Sequence, residues 1–461
     1  MKRITGLMML GVALFAVRGM AQNPTLPAEL APAPVVDVSE AAEEGKVEMT
    51  LGGGLKKIVQ STGIAKFISK IDIVTSEPRE VEKDGATFKG LVTTSISMVG
   101  VKSLIMVMVG FLLLYLGVAK GVEPLLMIPI GFGAILANSP GAGLIESHGF
   151  LSIIFEGGVR NELLPILIFM GIGAMCDFSP LIGNPRLALL GAAAQLGVFG
   201  TLIGVVAVSE IFGFGFNIKQ ACAVAIIGAA DGPTSIFFSS KYAPDLMGSI
   251  AVAAYSYMAM VPLIQPPVMR ALTTEAERKI RMPLNREVSR KELVLFPLLV
   301  LLICVLFLPP ALPLLGSFCF GNFVRECQVA ERISNCLQNE VSNIATILLG
   351  LGVGMQLEAS KFLAPVTIAI LLLGLLAFVV GTAGGVLFAK IMNKAWKDNP
   401  VNPLIGSAGM SAFPMAARVS HNVGQEYDSD NYLIFQAMAA NLSGQIGSVV
   451  AAGVIMALLG T

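Results

Sequence analysis

Beyond about residue 102 the chain is a succession of apolar runs, and nothing constrains its fold more. Runs are read at about 103–119, 124–138, 163–176, 187–212, 219–240, 247–268, 293–312, 313–325, 341–357, 363–390, 402–418 and 431–459. A backbone inside lipid has no water to bond, so helices are the form such runs take. A full crossing needs about 20 apolar residues. Several runs are too short, or are interrupted by Gly, Pro or a charge, and are expected to be half-helices or re-entrant hairpins. Charge is scarce: 13% of the 461 residues are Asp, Glu, Lys or Arg, against about a quarter in a soluble chain. It is also clustered, with none in residues 163–174 and seven Lys or Arg in 270–291. The expected fold is an all-α polytopic membrane protein, not a soluble one with a large core.

The formal net charge is zero, which gives no basis for nucleic-acid binding. Forty-nine Gly and 25 Pro suit closely packed and interrupted membrane helices. The six cysteines (176, 222, 304, 319, 327 and 336) show no CxxC and no His at metal spacing. They read as small apolar residues, with no disulfide framework or zinc site expected.

Residues 1–21 have the shape of an export signal: Lys2 and Arg3, an apolar stretch, then Gly19-Met20-Ala21. A short uncleaved anchor is the alternative. Residues 22–48 form a Pro/Ala/Glu-rich linker expected to be disordered. Residues 49–101 are read as an amphipathic surface helix over 51–73, with Leu55, Ile58, Val59, Ile64 and Phe67 on one face, followed by a charged loop at 76–89.

The membrane part reads as two repeats, 102–269 and 293–461, joined by a basic loop at 270–292. Pro124-Leu125-Leu126 and Phe132-Gly133 recur as Pro313-Leu314-Leu315 and Phe320-Gly321. Gly171-Ile172-Gly173 recurs as Gly350-Leu351-Gly352. Ile227-Gly228-Ala229-Ala230-Asp231 recurs as Ile405-Gly406-Ser407-Ala408-Gly409. The offset drifts only from 189 to 178. The basic loop, with Lys390, Lys394 and Lys397, is expected to be cytoplasmic. If 219–240 is a re-entrant hairpin, the first repeat makes five crossings, starting outside and ending inside. The second then runs the other way, and the two are inverted copies with a transporter-like arrangement.

Asp231 is the residue that calls for chemistry. It lies in an otherwise apolar segment, and a carboxylate at that depth is costly. Gly232 and Pro233 follow at once, breaking the helix and freeing carbonyls. A carboxylate beside unpaired carbonyls is an oxygen cage for a hard cation. The second repeat places Asn402, Gly406, Gly409 and Ser411 in a matching glycine-rich break, with amide and hydroxyl oxygens. If the repeats are inverted, the two breaks meet near the midplane. One negative charge with neutral oxygens suits Na+ or H+ better than Ca2+.

Tyr255 and Tyr257 follow the Asp231 segment. Each is either a buried phenol needing a partner, able to ligate an ion or give a proton, or an interfacial belt residue. Arg418 either forks onto a carboxylate or anchors the helix on the positive side. Asn441 and Gln445 lie one turn apart in an apolar helix, and either reaches toward the cage. Asp177 reads as a loop or cap residue beside Ser179-Pro180, and neither His148 nor His421 receives a role. No serine-triad, Walker or dinucleotide motif is present, nor a biotin-bearing Met-Lys-Met.

The segments 227–236 (IGAADGPTSI), 254–269 (AYSYMAMVPLIQPPVM) and 402–418 carry a resemblance to the beta subunits of the sodium ion-translocating decarboxylases of oxaloacetate, methylmalonyl-CoA and glutaconyl-CoA. It covers roughly residues 49–461, while the N-terminus, the 76–89 insert and the cysteine-containing 325–340 stretch look unlike shorter members. The resemblance implies an inner-membrane subunit that decarboxylates carboxybiotin and moves Na+ outward, consuming a proton. It implies partners: a carboxyltransferase alpha subunit, a biotin carrier, a small gamma or delta membrane subunit, and further copies of this chain. Asp231 matches the family's essential aspartate, and Tyr257, Asn402, Gly406, Ser411, Arg418 and Asn441 match its other functional positions. Arg418 would face the carboxybiotin carboxylate. Asp231, Asn402, Ser411 and Asn441 would hold sodium, and Tyr257 with Ser411 would serve a second ion site and proton delivery. Gly232, Pro233, Gly409 and Tyr255 would support them. The competing reading is a stand-alone Na+-coupled carboxylate symporter or Na+/H+ exchanger, which needs no biotin. A purely structural anchor leaves Asp231 unexplained.

Overall fold

The computed structural model describes residues 71–74, 80–83, 86–89, 95–121, 123–283 and 286–460. The export-like segment, the linker and the amphipathic stretch as far as residue 70 lie outside the described residues.

Four short strands precede the membrane part. Ile71–Val74 (β1) pairs antiparallel with Ser95–Met98 (β4), and Glu80–Lys83 (β2) with Ala86–Lys89 (β3). The 76–89 stretch, expected to be a loop, thus holds a hairpin. Its two strands place Val81 opposite Phe88. The end of the expected amphipathic helix is strand because Ile71, Ile73 and Val74 are β-branched.

The rest is helical. In chain order the main helices are Val99–Ala119 (α1), Pro124–Ala137 (α2), Leu163–Met175 (α3), Ala188–Ala194 (α4), Leu196–Phe212 (α5), Ile218–Ala225 (α6), Gly232–Tyr242 (α7), Met247–Ala259 (α8), Val261–Leu272 (α9), Arg290–Phe307 (α10), Leu312–Cys327 (α11), Ser342–Met355 (α12), Pro365–Ala395 (α13), Met415–Tyr427 (α14) and Ile434–Leu459 (α15). Local chemistry sets their ends. Asn217 and Gln220 form a capping box at α6, and Ser289 and Glu292 form another at α10, where the basic loop stops. Gly213, at φ 68°, ends α5.

Among the described residues, four helices are long and apolar enough to cross a bilayer: Gly100–Ala119, Pro185–Phe212, Pro365–Ala395 and Ile434–Leu459. Met247–Met258 with Val261–Leu272 makes a fifth if their 64° bend lies within one span. Pro262, in the first turn of α9, accounts for the break. Ile203, Leu306, Leu372 and Leu458 point outward, an apolar surface that lipid rather than water solvates. The chain is a multi-pass helical membrane protein.

The shorter apolar helices pack in crossed pairs. α2 lies on α12 and α3 on α11, pairing helices far apart in sequence. Gly133 meets Leu351 and Gly354, and Gly173 meets Phe318, at distances that leave no room for a Cβ. An asparagine closes each pair. Asn138 Nδ2 donates to Leu357 O (2.8 Å) while its Oδ1 accepts from Ala359 N (2.9 Å). Asn322 Nδ2 donates to Cys176 O (2.8 Å). A π-helical turn precedes α3 (Phe155–Arg160), and another precedes α12 (Leu337–Val341).

Candidate functional site

Two chain breaks face one another inside the bundle. The first begins where α6 tightens into a 3-10 turn, Ile226–Ala229, followed by Ala230 in the left-handed region (φ 59°). Asp231 is extended and caps α7 with its own side chain. The second is the 3-10 segment Pro403–Gly409, capped by Asn402. Ser411 N donates to Ala229 O (3.2 Å), a backbone hydrogen bond joining one break directly to the other.

Asp231 is 2% exposed. Its Oδ2 accepts from Thr234 Oγ1 and Ser448 Oγ, both at 2.7 Å, and its Oδ1 accepts from Thr234 N at 3.2 Å. Hydrogen bonds of this kind to a charged group contribute roughly 1.5–3 kcal/mol each and offset the cost of burying it. A cavity of about 360 Å³ opens beside it, lined in part by Pro233, Tyr255, Ser411 and Gln445, with Glu123 and Arg418 also on its wall. Arg418 is exposed. Partial burial holds the Glu123 carboxyl above its ordinary range, and the Arg418 charge opposes that shift. The cavity thus joins a buried carboxylate to an exposed guanidinium.

Asp231, Pro233, Tyr255, Ser411 and Arg418 are therefore brought together. Gly232 is there for its lack of a side chain, since a Cβ would strike the Tyr255 ring. Asn441 holds the second break from behind: its Nδ2 donates to Ala408 O (3.0 Å) and Met410 O (2.7 Å). Ser411 Oγ donates to Gly444 O (2.7 Å), and Gln445 Nε2 donates to Ser411 O.

Asn402 and Tyr257 are not on the cavity wall. Asn402 Oδ1 accepts from Leu404 N (3.0 Å), and its Nδ2 donates to Arg278 O (2.9 Å) and Ile280 O (2.8 Å), so both ends of the amide tie the basic loop to the break. Arg281 straps the same loop to Asp428 (2.7 Å) and holds that carboxyl below its ordinary range. The Tyr257 hydroxyl donates to Leu371 O on α13. Thr234 and Ser448 were not singled out by sequence. Ser448 was findable: with Asn441 and Gln445 it makes a polar stripe at i, i+4, i+7 on the otherwise apolar α15.

Gly406 and Gly409 allow the second break to lie flat on its neighbours. A Cβ on Gly406 would run into the Gly385 backbone on α13, and one on Gly409 into the Leu190 carbonyl of α4. Backbone cannot move aside as a side chain can. Gly406→Val is expected to cost about 3 kcal/mol or more through overpacking. The check is the melting temperature and yield of folded protein in detergent, and a wild-type melt would show that the contact is dispensable.

The sequence profile of the Na+-transporting oxaloacetate decarboxylase beta subunit matches residues 102–459. The probable oxaloacetate decarboxylase beta chain of Vibrio cholerae is 49% identical over 408 residues, spanning 76% of this chain and 94% of that one. The glutaconyl-CoA decarboxylase beta subunit of Acidaminococcus fermentans is 51% identical over 356 residues (77% and 93%). The methylmalonyl-CoA decarboxylase beta subunit of Propionigenium modestum is 50% identical over 382 residues (78% and 95%). With the match running through both breaks and the helices that hold them, the chain belongs to the family of Na+-transporting decarboxylase beta subunits.

Proposed function

We propose that this chain is the membrane subunit that removes CO2 from the carboxylated biotin of a partner and couples that step to outward Na+ movement. One observation carries the reading: a buried carboxylate shares a cavity with an exposed arginine, at the joint of two helix breaks. Asp231 supplies the single negative charge, and Ser411 a neutral oxygen from the other break. A site with one carboxylate suits a monovalent cation. Arg418 has the fixed fork that recognises a carboxylate and sits on the same cavity wall. Biotin, carried by the partner, supplies a carboxyl group whose C–N bond breaks, releasing CO2 while the nitrogen takes up a proton. Moving one Na+ against 100 mV costs about 2.3 kcal/mol, which the chemistry must cover.

The repeated order of elements and the exchange of partners between α2 and α3 on one side and α12 and α11 on the other support two inverted halves. In such a pair the breaks at Asp231 and Ser411 enter from opposite faces. The basic loop at 270–291 and Lys390, Lys394 and Lys397 then mark the cytoplasmic side of a bacterial inner membrane. Asn402 and Tyr257 act in this reading by holding the breaks in shape; Asn441 holds the second break through Nδ2 and keeps a buried Oδ1 with no partner among the described residues. Partners of the expected kinds are a carboxyltransferase alpha subunit, a biotin carrier and a small gamma or delta subunit.

The test is sodium uptake into proteoliposomes holding the chain with its co-purifying partners. Uptake is expected to require the carboxylated substrate and to be blocked by avidin. Substrate-independent, avidin-resistant uptake would instead mark a stand-alone secondary transporter.

A further inference from the structure

We propose that Tyr255 Oη and Gln445 Oε1 are cation ligands that complete the Asp231 site. The inference rests on the sodium reading above and names the neutral half of the cage.

Both residues are buried, Tyr255 2% and Gln445 3% exposed, and both line the cavity that Asp231 lines. Both carry a buried oxygen with no hydrogen-bond partner among the described residues. An unpartnered buried polar atom is costly, and folded chains keep few of them. Two orphans on one cavity wall, beside a carboxylate, call for a common partner.

The surrounding bonds fix which atoms are available. Gln445 Nε2 is committed to Ser411 O, so its amide presents Oε1 to the remaining space. The Tyr255 ring lies against Gly232 at the Asp231 break, which anchors the hydroxyl beside it. Asp231 Oδ2 is saturated by the hydroxyls of Thr234 and Ser448. Oδ1 receives one amide at 3.2 Å and keeps lone pairs to offer. One charged oxygen with neutral oxygens from α8 and α15 is a hard-ligand set for a monovalent ion. Tyr257 and Asn402, whose polar groups are spent elsewhere, are positioning residues by the same count.

Tyr255→Phe is the sharp test, because it removes a single oxygen that bonds nothing among the described residues. The full chain in lipid nanodiscs is melted in NaCl and in choline chloride at matched ionic strength. Wild type is expected to melt higher in NaCl, since a ligand of the folded state stabilises it. Tyr255→Phe is expected to match or exceed wild type in choline, yet to need about tenfold more NaCl for the same shift, in line with the 10–100-fold effects of altering metal surroundings. Gln445→Leu is expected to weaken the NaCl response at least as much. If wild type responds to NaCl and both variants respond equally well, the ligand assignment is overturned while the sodium reading stands. If wild type itself does not respond, both are overturned.

Discussion

Asp231→Asn is expected to abolish sodium-coupled decarboxylation while leaving the protein inserted and folded. The side chain is fully buried, and Thr234 N, Thr234 Oγ1 and Ser448 Oγ all donate to it. An asparagine oxygen in the same place accepts part of this set, and a neutral group is cheaper to bury than a carboxylate. What disappears is the charge. At about 4 Å and an effective dielectric near 20, one charge on another is worth about 4 kcal/mol, roughly three orders of magnitude in ion affinity. Sodium uptake and sodium-stimulated turnover are the measurements, with the melting temperature as the control on folding. Full pumping by this variant would remove Asp231 from the ion path.

The second large effect is expected at the other end of the cavity. Arg418→Ala should slow decarboxylation of free carboxybiotin at saturating Na+ by about 30-fold, or about 2 kcal/mol. That is the low end for truncating one member of a charge pair, as suits an exposed side chain. Arg418→Lys should recover part of the rate, because lysine keeps the charge but not the two-pronged geometry. Wild-type turnover in the alanine variant would reduce Arg418 to a helix anchor.

Much of this architecture is legible from residue order. An isolated carboxylate followed by Gly-Pro in an apolar run announces a chain break, and the glycine-rich segment before Ser411 announces another; both are present. Which tyrosine faces the cavity is not. Tyr255 and Tyr257 stand two residues apart, about 200° around a helix, so they cannot share a face, and sequence supplies their spacing without the phase. The deciding residue is Gly232, whose missing side chain admits the Tyr255 ring. Asn402 misleads for a related reason. It looks free to ligate, but its Nδ2 is consumed by two carbonyls of a loop some 120 positions upstream and its Oδ1 accepts from Leu404 N. Ser448 escaped notice because a lone serine in a membrane helix carries no signal until Asn441 and Gln445 are placed on the same face. The short strands before α1 escaped because charge was read as loop, while the pairing of Val81 with Phe88 depends on alternation over only four residues.

The pairing of helices far apart in sequence also bears on biosynthesis. Asn138 waits for the carbonyl of Leu357, 219 positions later. At roughly 5–20 residues per second, on the order of ten to forty seconds pass between the emergence of the two from the ribosome. Until α11 and α12 follow, the glycine faces of α3 and α2 lack their partners. A product truncated at the basic loop would leave these faces vacant for good, and quality control in the membrane is expected to degrade it rather than store it as a half-protein.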